Sequence, residues 1–221
     1  MKQLFPFYKL LYLLIFILTG CAEKGHLNAQ KATSKPTKDK VVGGRCEGCE
    51  FYNLGMPKKV SWQSIIPKLE EAGEKLVIEG YIYEKDGKTP APNVLVYLYH
   101  TTNQGYYTPS STQKDAAKRH GRLRGWVKSR ADGYYVFTTI RPAPYPNNTL
   151  PAHIHPTIKE AGKTPYYIDD YVFDDDAFVT ADYRKKQELR CGSGILILTK
   201  DPQGVWHGKR NMTLGLNIPN Y

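Results

Sequence analysis

Leu76-Val77-Ile78-Glu79-Gly80-Tyr81-Ile82-Tyr83-Glu84 is the stretch that sets the fold. Leu76, Ile78, Gly80 and Ile82 fall on one side of an extended chain, and Val77, Glu79, Tyr81 and Tyr83 on the other, because strand side chains alternate with a period of two. Asp86-Gly87 and Pro90-Ala91-Pro92 supply the turn that follows. Residues 93–100 repeat the alternation, with Val94, Val96 and Leu98 set against Leu95, Tyr97 and Tyr99. Asp132-Gly133 is a second turn signal and opens a strand over 134–140; residues 152–158, 166–173, 194–199, 205–207 and 212–218 read as further strands. Residues 101–124 carry no sustained apolar pattern and read as a long polar loop. Residues 61–72 have some helical character, weakened by Pro67, and Asp174-Asp175-Asp176 reads as the cap of a short helix running towards Arg190. Short strands with frequent turns predict an all-β fold, an antiparallel β-sandwich with long loops and one short helix.

The chain has 221 residues, enough for one well-buried domain plus a targeting segment. Its 17 tyrosines favour strands and wet-edged pockets, and phenol oxygen can bind hard metals. The formal net charge is +10. Lys24, Lys31, Lys35, Lys38 and Lys40 sit together in one polar stretch, which reads as a solvated tether. With no basic stripe interleaved with aromatics, nothing points to nucleic acid as a partner.

Lys2 and Lys9 flank the start of the apolar run 10–18, too short for a comfortable membrane span and shaped like a secretory signal. It ends in Leu18-Thr19-Gly20-Cys21, which resembles the bacterial lipobox. That resemblance implies cleavage before Cys21, lipidation of its thiol, and a place on the bacterial cell envelope, facing away from the cytoplasm, with the lipid anchor as the only membrane contact. The expected organisation is a signal peptide at 1–20, a flexible tether at 21–40, a cysteine-containing lead segment at 41–75 and a β-sandwich at 76–221. Cys46, Cys49 and Cys191 then remain. Outside the cytoplasm a disulfide is the default, within Cys46-Glu47-Gly48-Cys49 or from one of its cysteines to Cys191.

Arg141-Pro142-Ala143-Pro144-Tyr145-Pro146 through Pro151-Ala152-His153-Ile154-His155 carries the chemistry. Two residues apart on a strand, His153 and His155 point the same way and can reach one metal, and imidazole suits iron, zinc and copper. Tyr145 lies between prolines that restrict its backbone. Phenol has a pKa near 10, but a trivalent cation can strip its proton, and hard phenolate prefers Fe(III).

Together with Gly105-Tyr106-Tyr107 and the run from Asp132-Gly133 through Tyr135, Phe137 and Thr139 to Ile140, these motifs make residues 76–173 resemble the intradiol ring-cleavage dioxygenases. The resemblance implies a non-haem Fe(III) held by Tyr107, Tyr145, His153 and His155, with Tyr145 also catalytic, and Tyr106 as the competing register for the first tyrosine. It implies cleavage of a catechol-type ring between its hydroxyl-bearing carbons, with a small aromatic diol and O₂ as substrates. Two positions depart from the family. Leu150 stands where characterised members carry an arginine that stabilises substrate charge, and Asp170 lies near the position of a family glutamine. Arg122, Arg124, Lys128 and Arg141 are candidate replacements for the missing cation. The alternatives are a non-catalytic transthyretin-like binding module on the cell envelope, suggested by Asp86-Gly87 and Asp132-Gly133-Tyr134, and a hydrolytic zinc or copper site using His153, His155 and His207.

Overall fold

The computed structural model describes residues 38–221 except 68, 69 and 114. The expected signal peptide, Cys21 and most of the tether lie outside the described residues. Twelve strands follow in chain order: β1 (Gln63–Ile65), β2 (Lys75–Tyr83), β3 (Leu95–His100), β4 (Arg124–Lys128), β5 (Tyr134–Ile140), β6 (His153–Lys159), β7 (Tyr166–Tyr167), β8 (Tyr171–Phe173), β9 (Ile195–Leu196), β10 (Leu198–Lys200), β11 (Trp206–Lys209) and β12 (Met212–Thr213). One sheet runs β1-β5-β2-β11-β10, with β12 also on β2; the other runs β4-β3-β6-β8-β9, with β7 also on β6.

The two sheets bury their inner faces against each other. Leu76, Ile78 and Ile82 of β2 and Tyr135 and Phe137 of β5 meet Val96 and Leu98 of β3, Val127 of β4 and Ile154 and Ile158 of β6 in one core. Each fully buried aliphatic side chain contributes roughly 1.5–3 kcal/mol. The alternation in β2 and β3 has the phase that the sequence predicts. Tyr97 and Tyr99 lie on the outer face of the second sheet, yet Tyr97 is also fully buried, so that face is covered as well.

Several expectations need correction. The sheets are mixed, not purely antiparallel: β1 pairs with β5, β11 and β12 with β2, and β9 with β8, all in parallel. Residues 61–72 contain strand β1 where helical character was expected, because pairing with Val136–Thr138 satisfies their backbone. The short helix spans Ala181–Lys185, and Thr180 caps it through a bond from the Tyr183 amide; Asp176 instead turns the chain before it, accepting from the Phe178 amide. Residues 101–124 are not all loop, since a 3-10 turn spans Asp115–His120. β4 is a strand with no expected counterpart. Its outward side chains are Arg124, Trp126 and Lys128, and Gly125 adds nothing to the inward pattern, so an apolar alternation was hard to see. Residues 212–218 pair only at Met212–Thr213 and then turn.

The lead segment is woven into this body. Lys40 bridges to Lys163, Val42 is buried, and the Gly43 amide bonds to Pro219. Cys46 and Cys49 are joined to each other, and Cys191 is a buried free thiol. Among the described residues no helix is long and apolar enough to cross a membrane.

Candidate metal centre

β6 places the two histidines. Ile154 points into the core, so His153 and His155 point to the outer face of the second sheet. Tyr99 of β3 lies opposite His155, and its ring stacks on that imidazole with centroids 4.7 Å apart.

Two loops bring tyrosines over this face. The segment after β3 is tied to the proline-rich segment after β5: Thr101 Oγ1 donates to the Ala143 carbonyl at 2.8 Å, and the Ala143 amide donates to Thr102 at 3.1 Å. Gly105 adopts φ +82°, and a Cβ there would sit 2.1 Å from the Pro144 carbonyl oxygen, so only glycine lets the loops approach this closely. The result turns Tyr106 outward, 57% exposed, and Tyr107 inward. Of the two registers, the structure puts Tyr107 beside Tyr145.

The four side chains converge. Tyr107 and Tyr145 hydroxyls are 2.7 Å apart, His155 Nε2 is 2.9 Å from the Tyr107 oxygen, and His153 Nε2 is 3.0 Å from the Tyr145 oxygen. His155 Nε2 to Tyr145 is 3.4 Å. Two donors bound about 2.05 Å from a common ion and separated by 90–120° would lie about 2.9–3.6 Å apart, so this donor set fits one transition-metal ion with little rearrangement. The far nitrogens support the same arrangement. His153 Nδ1 lies 2.7 Å from the Pro151 carbonyl and His155 Nδ1 2.9 Å from Asp170 Oδ1. Both partners only accept, so both rings carry their proton on Nδ1 and turn the Nε2 lone pairs inward.

Asp170 is the functional residue that sequence reasoning placed but did not assign. Its carboxylate could be grouped with the two histidines as a ligand set. Its oxygen is instead engaged at the nitrogen of His155 that faces away from the convergence point, so it orients that ring as carboxylates commonly do behind a ligating histidine.

Burial favours the uncharged forms of both phenols and of His153. Burial first, then the hydrogen bond to Tyr145, pushes the Tyr107 phenol far above its ordinary range, and burial also raises Tyr145. Burial, with His155 adding to it, lowers His153. Burial alone would raise the Asp170 carboxyl, but the attraction and hydrogen bond of the neighbouring His155 ring outweigh it and hold it below the usual range. Only a strong cation would draw the phenolic protons off.

A pocket of about 520 Å³ opens over the cluster, lined by Tyr99, Tyr107, Tyr145, Tyr167, His120 and Asp170, with Cys46, Glu47 and Gly48 of the lead segment forming one wall. That is a fitting size for a small aromatic molecule. None of the four cations expected to replace the missing arginine lines it. Arg122 is bonded to Glu71, Arg141 to Asp175, Arg124 lies over Trp126, and Lys128 borders a separate depression. Arg119 lines the pocket instead, 3.4 Å from Glu47. It sits within a stretch that read as featureless loop, so no sequence signal marked it. Leu150 is 47% exposed. His207 lies on β11 in the other sheet, with Nε2 on Asp201, and does not join the cluster.

A family model described as Dioxygenase matches residues 47–193. The chain belongs to the intradiol ring-cleavage dioxygenase family. Family relatives include a catechol 1,2-dioxygenase of Acinetobacter baylyi, 28% identical over 59% of this chain and 48% of the relative. A protocatechuate 3,4-dioxygenase beta chain of Burkholderia cepacia is 35% identical over 39% of each chain. This dioxygenase-family chain thus spans about half the length, or less, of the curated relatives it matches. Among solved structures, the dioxygenase domain of a dioxygenase–carbohydrate-binding fusion from Streptomyces sp. SirexAA-E superposes with a TM-score of 0.54 at 19% identity, covering 72% of this chain and 91% of that one. A 3-chlorocatechol 1,2-dioxygenase from Rhodococcus opacus 1CP gives 0.53 at 21%, covering 72% and 68%. At such identities the superpositions establish the family's β-sandwich fold.

Proposed function

We propose that this protein is a non-haem Fe(III) dioxygenase that opens a catechol-type ring between its two hydroxyl-bearing carbons, taking both atoms of O₂ into a dicarboxylic acid. The observation that carries the reading is the convergence of Tyr107 and Tyr145 oxygens with His153 and His155 Nε2 at 2.7–3.4 Å. Those four side chains would hold the ion. A bound ferric ion supplies Lewis acidity and an electron-accepting template for the diol and O₂.

The remaining work falls to the chain. Tyr145 OH lies within 3.4 Å of three other donors, so as phenolate its oxygen would be placed to take a proton from an incoming diol hydroxyl. Tyr99, Tyr107, Tyr167 and His120 give the ring apolar faces and exclude water from it. Asp170 and the Pro151 carbonyl keep both imidazoles turned inward. Among the described residues lining the pocket, Arg119 supplies the one guanidinium, placed to offset charge on the bound diol where Leu150 replaces the family arginine.

We also propose a lipid anchor at Cys21 on the outer side of a bacterial membrane; the apolar run, the Leu18–Cys21 pattern and the Cys46–Cys49 bond support it. Changing Cys21 to Ser should release the protein to the soluble fraction.

The test of function is optical first. Tyrosinate bound to Fe(III) absorbs visible light, so iron-loaded protein should be red to purple, and Tyr145→Phe or the double change His153→Ala/His155→Ala should bleach it. O₂ uptake with a panel of catechols then reads activity. Full colour in those variants would overturn the ligand assignment, and a colourless, metal-free protein would favour the binding-module reading.

A further inference from the structure

The outer face of the second sheet carries a polar pair whose hydrogen bond the proposed reaction does not use. Tyr97 OH and His120 Nδ1 lie 2.9 Å apart, and both residues are buried, 0% and 4% exposed. Among the described residues that nitrogen is the one hydrogen-bond acceptor of the Tyr97 phenol, so the hydroxyl donates to Nδ1. Burial pushes the His120 imidazole down to about 4, which leaves it a neutral base.

The pair sits inside a continuous run of aromatic rings. The Tyr107 ring lies 5.9 Å from Tyr99, and His155 4.7 Å from it. Tyr99 stacks on Tyr97 at 5.7 Å and lies parallel to His120 at 3.7 Å. Tyr97 in turn stacks on Trp126 at 5.2 Å with 27° between planes. Trp126 is only partly buried and lines an open groove that shares no lining residue with the pocket. An indole at the surface, a phenol with its own base in the middle and the site's own tyrosine at the inner end are the parts of a hole-transfer chain. A buried phenol with no proton acceptor could not lose an electron at tolerable cost, since the charged radical would stand unsolvated.

We propose that Tyr97 and His120 form a redox-active phenol–imidazole pair that carries oxidising equivalents from the metal site out to Trp126. The starting oxidant is a phenoxyl at Tyr107: hydrogen peroxide in the metal-loaded pocket takes two electrons, one at a time through Tyr107, and two protons from water to become two waters, so each peroxide drives two passes along the chain and consumes two electrons of the reductant; to that extent the proposal rests on the function above. Tyr97 passes one electron to that phenoxyl, which becomes phenolate, and its proton to His120 Nδ1, leaving a neutral Tyr97 phenoxyl and an imidazolium. Trp126 then gives one electron to Tyr97, the proton returns from His120, and the indole radical cation at the groove is refilled by an external thiol or ascorbate-type reductant. The outcome is protection: the ligands are spared and the damage is exported to a replaceable electron source.

Trp62 and Trp206 are the internal controls, since both are also partly buried but neither belongs to this run of rings. Iron-loaded protein is treated with hydrogen peroxide without substrate or reductant, and peptides are analysed by mass spectrometry. The expected result is oxygen addition at Trp126 ahead of Trp62 and Trp206, falling about tenfold in Tyr97→Phe and in His120→Gln. Equal oxidation of the three tryptophans, or an unchanged yield in Tyr97→Phe, overturns the proposal. A second arm uses the metal-free chain and azide radicals from pulse radiolysis, which oxidise tryptophan selectively. This arm reads the same exchange run backwards: first-order transfer between tryptophan and tyrosine that stops at a mixture of both radicals, slowed about tenfold in Tyr97→Phe, supports the pair, and complete one-way transfer to tyrosine or an unchanged rate refutes it. If the protein binds no iron, the function above fails while this second arm still decides the pair.

Discussion

Replacing Asp170 with Asn should weaken iron binding about tenfold while leaving the sandwich folded. Asp170 Oδ1 sits 2.9 Å from His155 Nδ1. Adding about 2 Å across the ring and about 2 Å for the metal bond puts the carboxylate about 7 Å from a bound ion. A ferric ion with two phenolates has a net charge near +1, and one unit charge at that distance contributes about 2.4 kcal/mol at an effective dielectric of about 20. The Asp170 side chain is 37% exposed, so solvent screening reduces this, and about 1–2 kcal/mol is the reasonable range. That is about tenfold in affinity, the lower end of what losing such a partner costs. Asn keeps a neutral acceptor for the Nδ1 proton, whereas Ala removes it and should cost more. The assay is competition with a chelator of known ferric affinity, followed through the visible band, with melting of the metal-free chain as the control for folding. If Asp170→Ala binds iron as tightly as the parent, the orienting role is wrong.

Gly105→Ala should cost about 1–3 kcal/mol, because a left-handed backbone and a Cβ 2.1 Å from the Pro144 oxygen cannot both be kept, and iron stoichiometry should fall with it. Thermal unfolding and metal analysis read the two losses. Arg119→Ala should raise KM or lower kcat on a diol by about tenfold with the colour of the iron protein unchanged, a split that steady-state kinetics and the visible spectrum resolve. Stability should also depend on acid. His100 is buried between the Thr101 carbonyl and Thr139 Oγ1, and burial holds its imidazole near 4, so the folded chain leaves it neutral while the unfolded chain protonates near 6.5. Proton uptake then favours unfolding, so stability is complete above about pH 6.5 and declines as pH falls towards about 4. In His100→Gln the denaturant midpoint should vary less with pH across that window.

The sandwich was legible because β2, β3 and β5 alternate cleanly, and the site because Tyr145, His153 and His155 lie within eleven residues of one another. What stayed hidden depends on contacts distant in sequence. β4 turns Arg124, Trp126 and Lys128 outward, a pattern that reads as loop until another segment covers it. Parallel partners such as β1 on β5 join segments about 70 residues apart in sequence, beyond the reach of any local pattern. Arg119 and Asp170 gain their places only when a 3-10 turn and the residue before β8 meet at the same face. Tyr106 and Tyr107 are chemically alike, and the crossing of two loops at Gly105 decides which faces in.

The Cys46–Cys49 clasp presses Gly48 against His120, where a Cβ would come 2.9 Å from Nε2. One wall of the pocket is therefore made from chain that precedes every strand. Shortening residues 46–49 alone, with Val42 and Gly43 kept in place, would spare the core contacts of the lead segment and leave the pocket as an open tray facing water. Exchange of this short clasp is accordingly the simplest way to retailor which molecule the pocket accepts.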